Sequence, residues 1–244
     1  MSLRIGFDLD GVLADFGSAY REVEARLFGS DKTPARADDP EEEEAAEQAE
    51  QIEAVEQAEA AAEPAEAAEH PRLGGRKRRD AIWQAIRAVP DFWVGLAPLD
   101  PGAVRRINEM ALRHRWEVFF ITQRPATDGD VVQRQTQRWL VAQGFDLPSV
   151  LVIAGSRGAA AAALQLDYHV DDTIRHCIDV KAESGAKPLL VIDPGDESEI
   201  VTARRLGIGT AGSIAECLDI LEEVSANRRQ PTLLHRLAQL VGWH

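Results

Sequence analysis

The chain has 244 residues, 45% of them hydrophobic and 28% charged, enough to bury a sizeable core as one domain or as one domain with a lid. No stretch approaches the roughly 18 apolar residues of a membrane helix, the first ten residues carry Asp8 and Asp10 and lack a signal-peptide pattern, and Cys177 and Cys217 make neither a disulfide framework nor a thiolate metal site, so a cytoplasmic setting is expected. The net charge of −14 belongs to one segment: residues 38–70 hold 14 Asp or Glu and no Lys or Arg, which leaves 27 acids against 27 bases elsewhere. That balance lacks the basic surplus of nucleic-acid binders, and neither nucleic acid nor a membrane is expected as a partner.

In chain order, Leu3–Phe7 is a short apolar run and reads as a strand, and Ser18–Leu27 reads as a helix. From Glu41 to His70 the composition collapses to Ala, Glu and Gln, with Glu at every third position from Glu41 to Glu59. These are good helix formers, but a period of three winds the charges around a helix, and only Ile52 and Val55 offer apolar anchors. An exposed, frayed or disordered insert is expected, interrupted at Pro64. The basic cluster Arg72, Arg76, Lys77, Arg78 and Arg79 follows and is read as offsetting those acids. Asp80–Val89 is a helix, with Ile82, Ala85, Ile86 and Val89 at helical spacing.

Helices are then predicted over Pro101–His114, Val131–Gln143, Thr173–Glu183, Ile214–Val224 and Thr232–Val241, and strands over Val118–Ile121, Val150–Ala154, Tyr168–Val170 and Leu189–Ile192. Short apolar strands alternating with helices imply an α/β fold, a Rossmann-like doubly wound parallel sheet covered on both faces. Such sheets bind ligands at the carboxyl ends of their strands, and four of those ends carry chemistry. After the first strand come Asp8 and Asp10, separated by one residue and followed by Gly11. Paired carboxylates suit a hard cation such as Mg²⁺, and they permit one to attack while the other moves protons. After the second strand Thr122, Gln123 and Arg124 offer donors to a phosphoryl group. Arg157 lies beyond the third strand and could supply fixed positive charge. Asp171 and Asp172 end a fourth, like charges in close quarters that need a cation or donors. Taken singly, each has a plainer reading as a turn or helix cap.

All four in this order resemble the motifs of the haloacid dehalogenase-like hydrolase superfamily, over residues 1–15 and about 96–225. Phe92-Trp93, Leu96, Pro98, Pro101-Gly102-Ala103 and Thr122-Gln123-Arg124-Pro125 are most similar to its 5′(3′)-deoxyribonucleotidase branch. The resemblance implies a Mg²⁺-dependent phosphatase acting on a small phosphorylated substrate, a (deoxy)nucleoside monophosphate being the first candidate. It implies Asp8 as nucleophile, Asp10 as general acid and base, and Thr122 as a phosphoryl contact. Arg157 would stand where the family usually has Lys. Gln123, Arg124 and Phe16 would contact substrate. Mg²⁺ would be held by Asp8, the Asp10 carbonyl and Asp171, with Asp172 acting through water. His169 and His176 are read as structural.

The resemblance also implies an organisation. Residues 1–15 and 96–228 would form the catalytic core, and 16–95 a helical cap bearing the acidic insert 38–70. Residues 229–244 would be a C-terminal helix. The alternative reading is a weak or inactive scaffold on the same fold, binding a protein partner through the insert.

Overall fold

The computed structural model describes residues 2–29 and 72–229. The acidic insert and the helix expected over Thr232–Val241 lie outside the described residues. The chain divides into two compact units, residues 1–16 with 90–244 and residues 17–89.

The larger unit is a six-stranded sheet. Its strands are β1 (Arg4–Phe7), β2 (Glu117–Thr122), β3 (Ser149–Val152), β4 (Tyr168–Asp171), β5 (Lys187–Val191) and β6 (Gly209–Ala211). The order is β3-β2-β1-β4-β5-β6, and every pairing is parallel. The doubly wound parallel sheet expected from the alternation of strands and helices is what forms. The first three strands run outward on one side of β1, and the chain then returns to place β4 on the other. This reversal makes the β1–β4 boundary the switch point at which open sheets gather ligands. β1 and β4 are deeply buried: Ile5, Phe7 and Val170 have no exposed surface, as central parallel strands require.

Helices α1 (Phe16–Phe28) and α2 (Arg72–Arg87) precede a 3₁₀ turn at Phe92–Val94. Among the described residues the others are α3 (Ala103–His114), α4 (Val132–Ala142), α5 (Arg157–Ala163), α6 (Ile174–Glu183), α7 (Glu197–Arg205) and α8 (Ile214–Arg229). α3 shows why the local sequence chooses helix. Ala103, Val104, Ile107 and Met110 form its buried stripe. Arg113 and His114 stand in its last turn, where the dipole favours positive charge. On the sheet, Ile121 packs with Ala161, Leu166, Val180 and Ala186. A second cluster joins Leu190 and Ile192 to Cys177, Ala203 and Ile208. Cys177 and Cys217 are both buried free thiols.

The smaller unit contains the body of α1 and all of α2. Tyr20 meets Trp83 edge-on with ring centroids 6.1 Å apart. The Arg78 Nε donates to Glu24 Oε1 at 2.8 Å, and its guanidinium lies over Phe28.

Four elements differ from the sequence reading. α2 begins at Arg72, not Asp80, so the basic cluster is helical. Arg and Lys are good helix formers, and their lack of an apolar stripe hid the first two turns. α5 and α7 were not expected. α5 is Arg-Gly followed by five alanines, which carries no hydrophobic period, and α7 has one fully buried residue, Ala203. β6 is three residues long, too short for a periodic signal. Among the described residues no helix is long and apolar enough to cross a membrane.

Candidate active site

β1 ends at Phe7, and the chain does not continue extended into the two acids. Leu13 and Ala14 N–H both donate to the Leu9 carbonyl, and Gly11 N–H donates to Ala14, so Asp10 stands on a tight loop. Gly11 is there for two reasons. Its φ is +79°, which a side chain resists, and a Cβ on it would overlap the Asp172 carboxylate. The loop after β1 and the loop after β4 therefore interlock, with no atom between the Gly11 backbone and Asp172.

Asp8 begins this loop, 3% exposed, its N–H bonded to the Val170 carbonyl of β4 at 2.9 Å. Arg157, also buried, donates from Nη2 to Asp8 Oδ1 at 2.6 Å. Its Nε lies 3.6 Å from Asp171 Oδ2. One guanidinium thus stands between the carboxylates that end β1 and β4. It arrives there because Ser156 caps α5, accepting from the N–H groups of Gly158 and Ala159, which sets Arg157 as the helix's first residue.

Asp171 has no exposed surface. Burial alone would raise its carboxyl, but the hydrogen bonds and electrostatic attraction of His169 and His176 outweigh burial and hold it well below the ordinary carboxylate range. His169 Nε2 donates to Oδ2 at 3.0 Å and His176 Nδ1 to Oδ1 at 3.1 Å, and the Thr173 N–H adds a third bond to Oδ1. The imidazoles read as structural thus have a definite task, to fix this carboxylate. The signal in the sequence was their spacing. His169 lies two residues before Asp171 on the same strand, and His176 five residues after it, in the first turn of the next helix.

Thr122 ends β2, buried, its Oγ1 accepting from the Arg124 N–H at 3.2 Å. Gln123 Nε2 donates to the Gly155 carbonyl at 2.9 Å, tying the loop after β2 to the loop that carries Arg157. Arg124 was expected to contact substrate, but its side chain turns inward to Asp10, with Nε to Oδ2 at 2.8 Å and Nη2 to Oδ1 at 2.7 Å. Phe16, also expected at the substrate, is buried with its ring against Trp93 at 5.5 Å and edge-on to Phe92.

Among the described residues no three carboxylate, imidazole or thiol groups form a cluster that would hold a metal ion unaided. Mg²⁺ asks for less: one or two protein carboxylates, its shell completed by water and phosphate oxygens. Asp8 and Asp172 supply that donor chemistry on the two interlocked loops. Both oxygens of Asp171 are engaged by protein donors, His169, His176 and the Thr173 N–H.

No protein-family model and no curated protein matches this sequence. Solved structures do. A phosphonoacetaldehyde hydrolase-like protein from Oleispira antarctica matches at 15% identity and a TM-score of 0.51, covering 93% of each chain. A candidate β-phosphoglucomutase from Thermotoga maritima matches at 19% identity and a TM-score of 0.50, over 92% of this chain and 100% of that one. The chain has the haloacid dehalogenase-like fold. A haloacid dehalogenase-like family hydrolase from Xanthomonas campestris also matches, at 17% identity and a TM-score of 0.48, over 94% of this chain and 95% of that one. At these identities the likeness is one of fold, in which the strand ends gathered at the switch point are those of β1, β2 and β4.

Proposed function

We propose that the protein is a hydrolase of phosphomonoesters that works through an aspartyl-phosphate. The observation that carries this reading is Asp8 itself. It is a buried carboxylate at the carboxyl end of the central strand, held 2.6 Å from a buried guanidinium, with a second carboxylate, Asp10, on the loop that follows.

In this reading Asp8 Oδ attacks phosphorus, and the bond from phosphorus to the leaving oxygen breaks. Asp10 gives its proton to that oxygen, and the alcohol departs. Asp10, now a carboxylate, takes a proton from water as the water oxygen attacks the same phosphorus. The Asp8–phosphorus bond breaks, releasing inorganic phosphate and restoring both acids. Thr122 and the N–H groups of its loop bind phosphoryl oxygens. Arg157 offsets the charge brought together when a carboxylate approaches a phosphate dianion, and positioning with charge neutralisation is most of what phosphoryl transfer asks of a protein.

We assign the Mg²⁺ ligands as the Asp8 carboxylate, the Asp10 carbonyl and the Asp172 carboxylate. When bound, the ion supplies further positive charge between nucleophile and phosphate. In this reading Asp172 takes the role that the resemblance allots to Asp171, because three protein donors, His169, His176 and the Thr173 N–H, already fix Asp171.

The sequence segment between β1 and β2 holds the smaller unit, and we take it as the substrate-selecting cap. Deoxynucleoside monophosphates are the first substrates to test, from the likeness around Phe92–Ala103 and Thr122–Pro125, with small phosphometabolites second.

The test is phosphate release over both classes, with Mg²⁺ and with EDTA, for the natural protein and Asp8→Asn. Release that needs both Mg²⁺ and Asp8 is expected. Full activity in Asp8→Asn would sink the mechanism.

A further inference from the structure

We propose that Arg124 is a positioning residue for Asp10 and not a contact for the substrate phosphate; this rests on the hydrolase reading above. A guanidinium binds a phosphate bidentately through one of its edges. In Arg124 the Nε–Nη2 edge already forks both oxygens of Asp10, at 2.8 and 2.7 Å. Its Nη1 donates to Thr136 Oγ1 on α4 at 3.1 Å. A face of the group lies on the Trp93 ring, 4.8 Å from the centroid, a stacking that adds attraction. The whole residue is 2% exposed.

The supports are themselves held. Trp93 Nε1 donates to the Pro125 carbonyl at 3.0 Å, and the Trp93 N–H donates to Gln135 Oε1 at 3.1 Å. Gln135 has no exposed surface, and its Nε2 donates to the Asp130 carbonyl and to Thr127 Oγ1. Arg124 is thus braced by the 3₁₀ turn, the loop after β2 and α4, and it presents a rigid fork. Asp10 is the less buried partner, its side chain 10% exposed. A carboxylate has about four lone-pair sites, of which the fork uses two. One of the others can hold the proton that passes to the leaving oxygen. The arrangement fixes where the proton donor stands while leaving it able to donate.

The discriminating measurement is kcat/KM for two phosphomonoesters whose leaving groups differ in their need for a proton. Ethyl phosphate expels a strongly basic alkoxide and needs Asp10. p-Nitrophenyl phosphate expels a stable phenolate and does not. The ratio kcat/KM reports the attack of Asp8 and loss of the alcohol, not the later water step. Arg124→Lys keeps the charge and loses the fork. It is expected to lower kcat/KM for ethyl phosphate by about 100-fold, the scale of general-acid catalysis, and for p-nitrophenyl phosphate by less than about threefold. Asp10→Asn is expected to show the same selectivity, and the double variant to be no worse than Asp10→Asn alone, as for residues that act as a unit.

Equal losses on both substrates overturn the proposal, whether they come from a lost phosphate contact or from general disturbance of the site. An additive double variant overturns it too. Should Arg124→Lys fail to fold, Thr136→Val removes one brace at nearly constant shape. It must show the same selectivity at smaller size, and its absence overturns the proposal. A natural protein inactive on both esters instead refutes the hydrolase reading, and the positioning role with it.

Discussion

At Gly11 the backbone conformation and the neighbour's side chain make the same demand. The φ of +79° disfavours any side chain, and the Asp172 carboxylate fills the volume a methyl group would need. Gly11→Ala is therefore expected to cost about 1–3 kcal/mol from strain alone, with further loss from displacing Asp172. Thermal unfolding would show the stability change. Mg²⁺ titration followed by melting temperature would show weaker binding if Asp172 is a ligand, and an unchanged response would remove it from that role. Asp8 and Asp10 were both readable, because their spacing at a strand end is local. What Arg124 touches was not, because Asp10 and Thr136 reach it only through the fold.

Where α5 meets α6, Gly158 lets the two helices close. A Cβ on Gly158 would overlap the Asp179 carbonyl and press on Glu183. Gly158→Ala must push α5 outward, and α5 carries Arg157 at its first turn. Overpacking of this kind costs about 1–3 kcal/mol. A second effect is expected here: phosphate release falls more than stability does, because Arg157 retreats from Asp8. Denaturant unfolding beside a turnover assay measures both, and a stable variant with full turnover would separate α5 from the site. The sequence announced elements of this scale when they carried a period. β2, α3 and α4 did, through apolar runs or stripes. α5 did not, since five alanines pack by being small and have no apolar face to declare.

Over the whole molecule, acid stability is expected to depend on the carboxylates the fold holds ionised, Asp171 among them. Its folded form resists protonation because the His169 and His176 bonds outweigh the cost of burial. The unfolded chain protonates it near the ordinary value of 3.8. Below that value the unfolded state binds a proton that the folded state refuses, so the unfolded state gains. The stabilisation is complete above about pH 5 and is lost as pH falls through and below 3.8. Melting temperature against pH should drop steeply on that limb, and Asp171→Asn, whatever its stability at pH 7, should flatten it. An unchanged limb would mean that other carboxylates carry the acid response.

The sequence by itself determined the class of fold and the acids at its strand ends, because hydrophobic period and D-x-D-G spacing are written within a few residues. It also confined the excess negative charge to residues 38–70. Only the tertiary structure decided which group faces which. Arg157 stands between Asp8 and Asp171, 149 residues from the first. Arg124 forks Asp10 across 114 residues. Asp172, not Asp171, fills the space against Gly11. The physical reason is the strand order. The order seats β1 between β2 and β4, so their carboxyl ends lie side by side, and no local pattern in the chain specifies which side chains then meet.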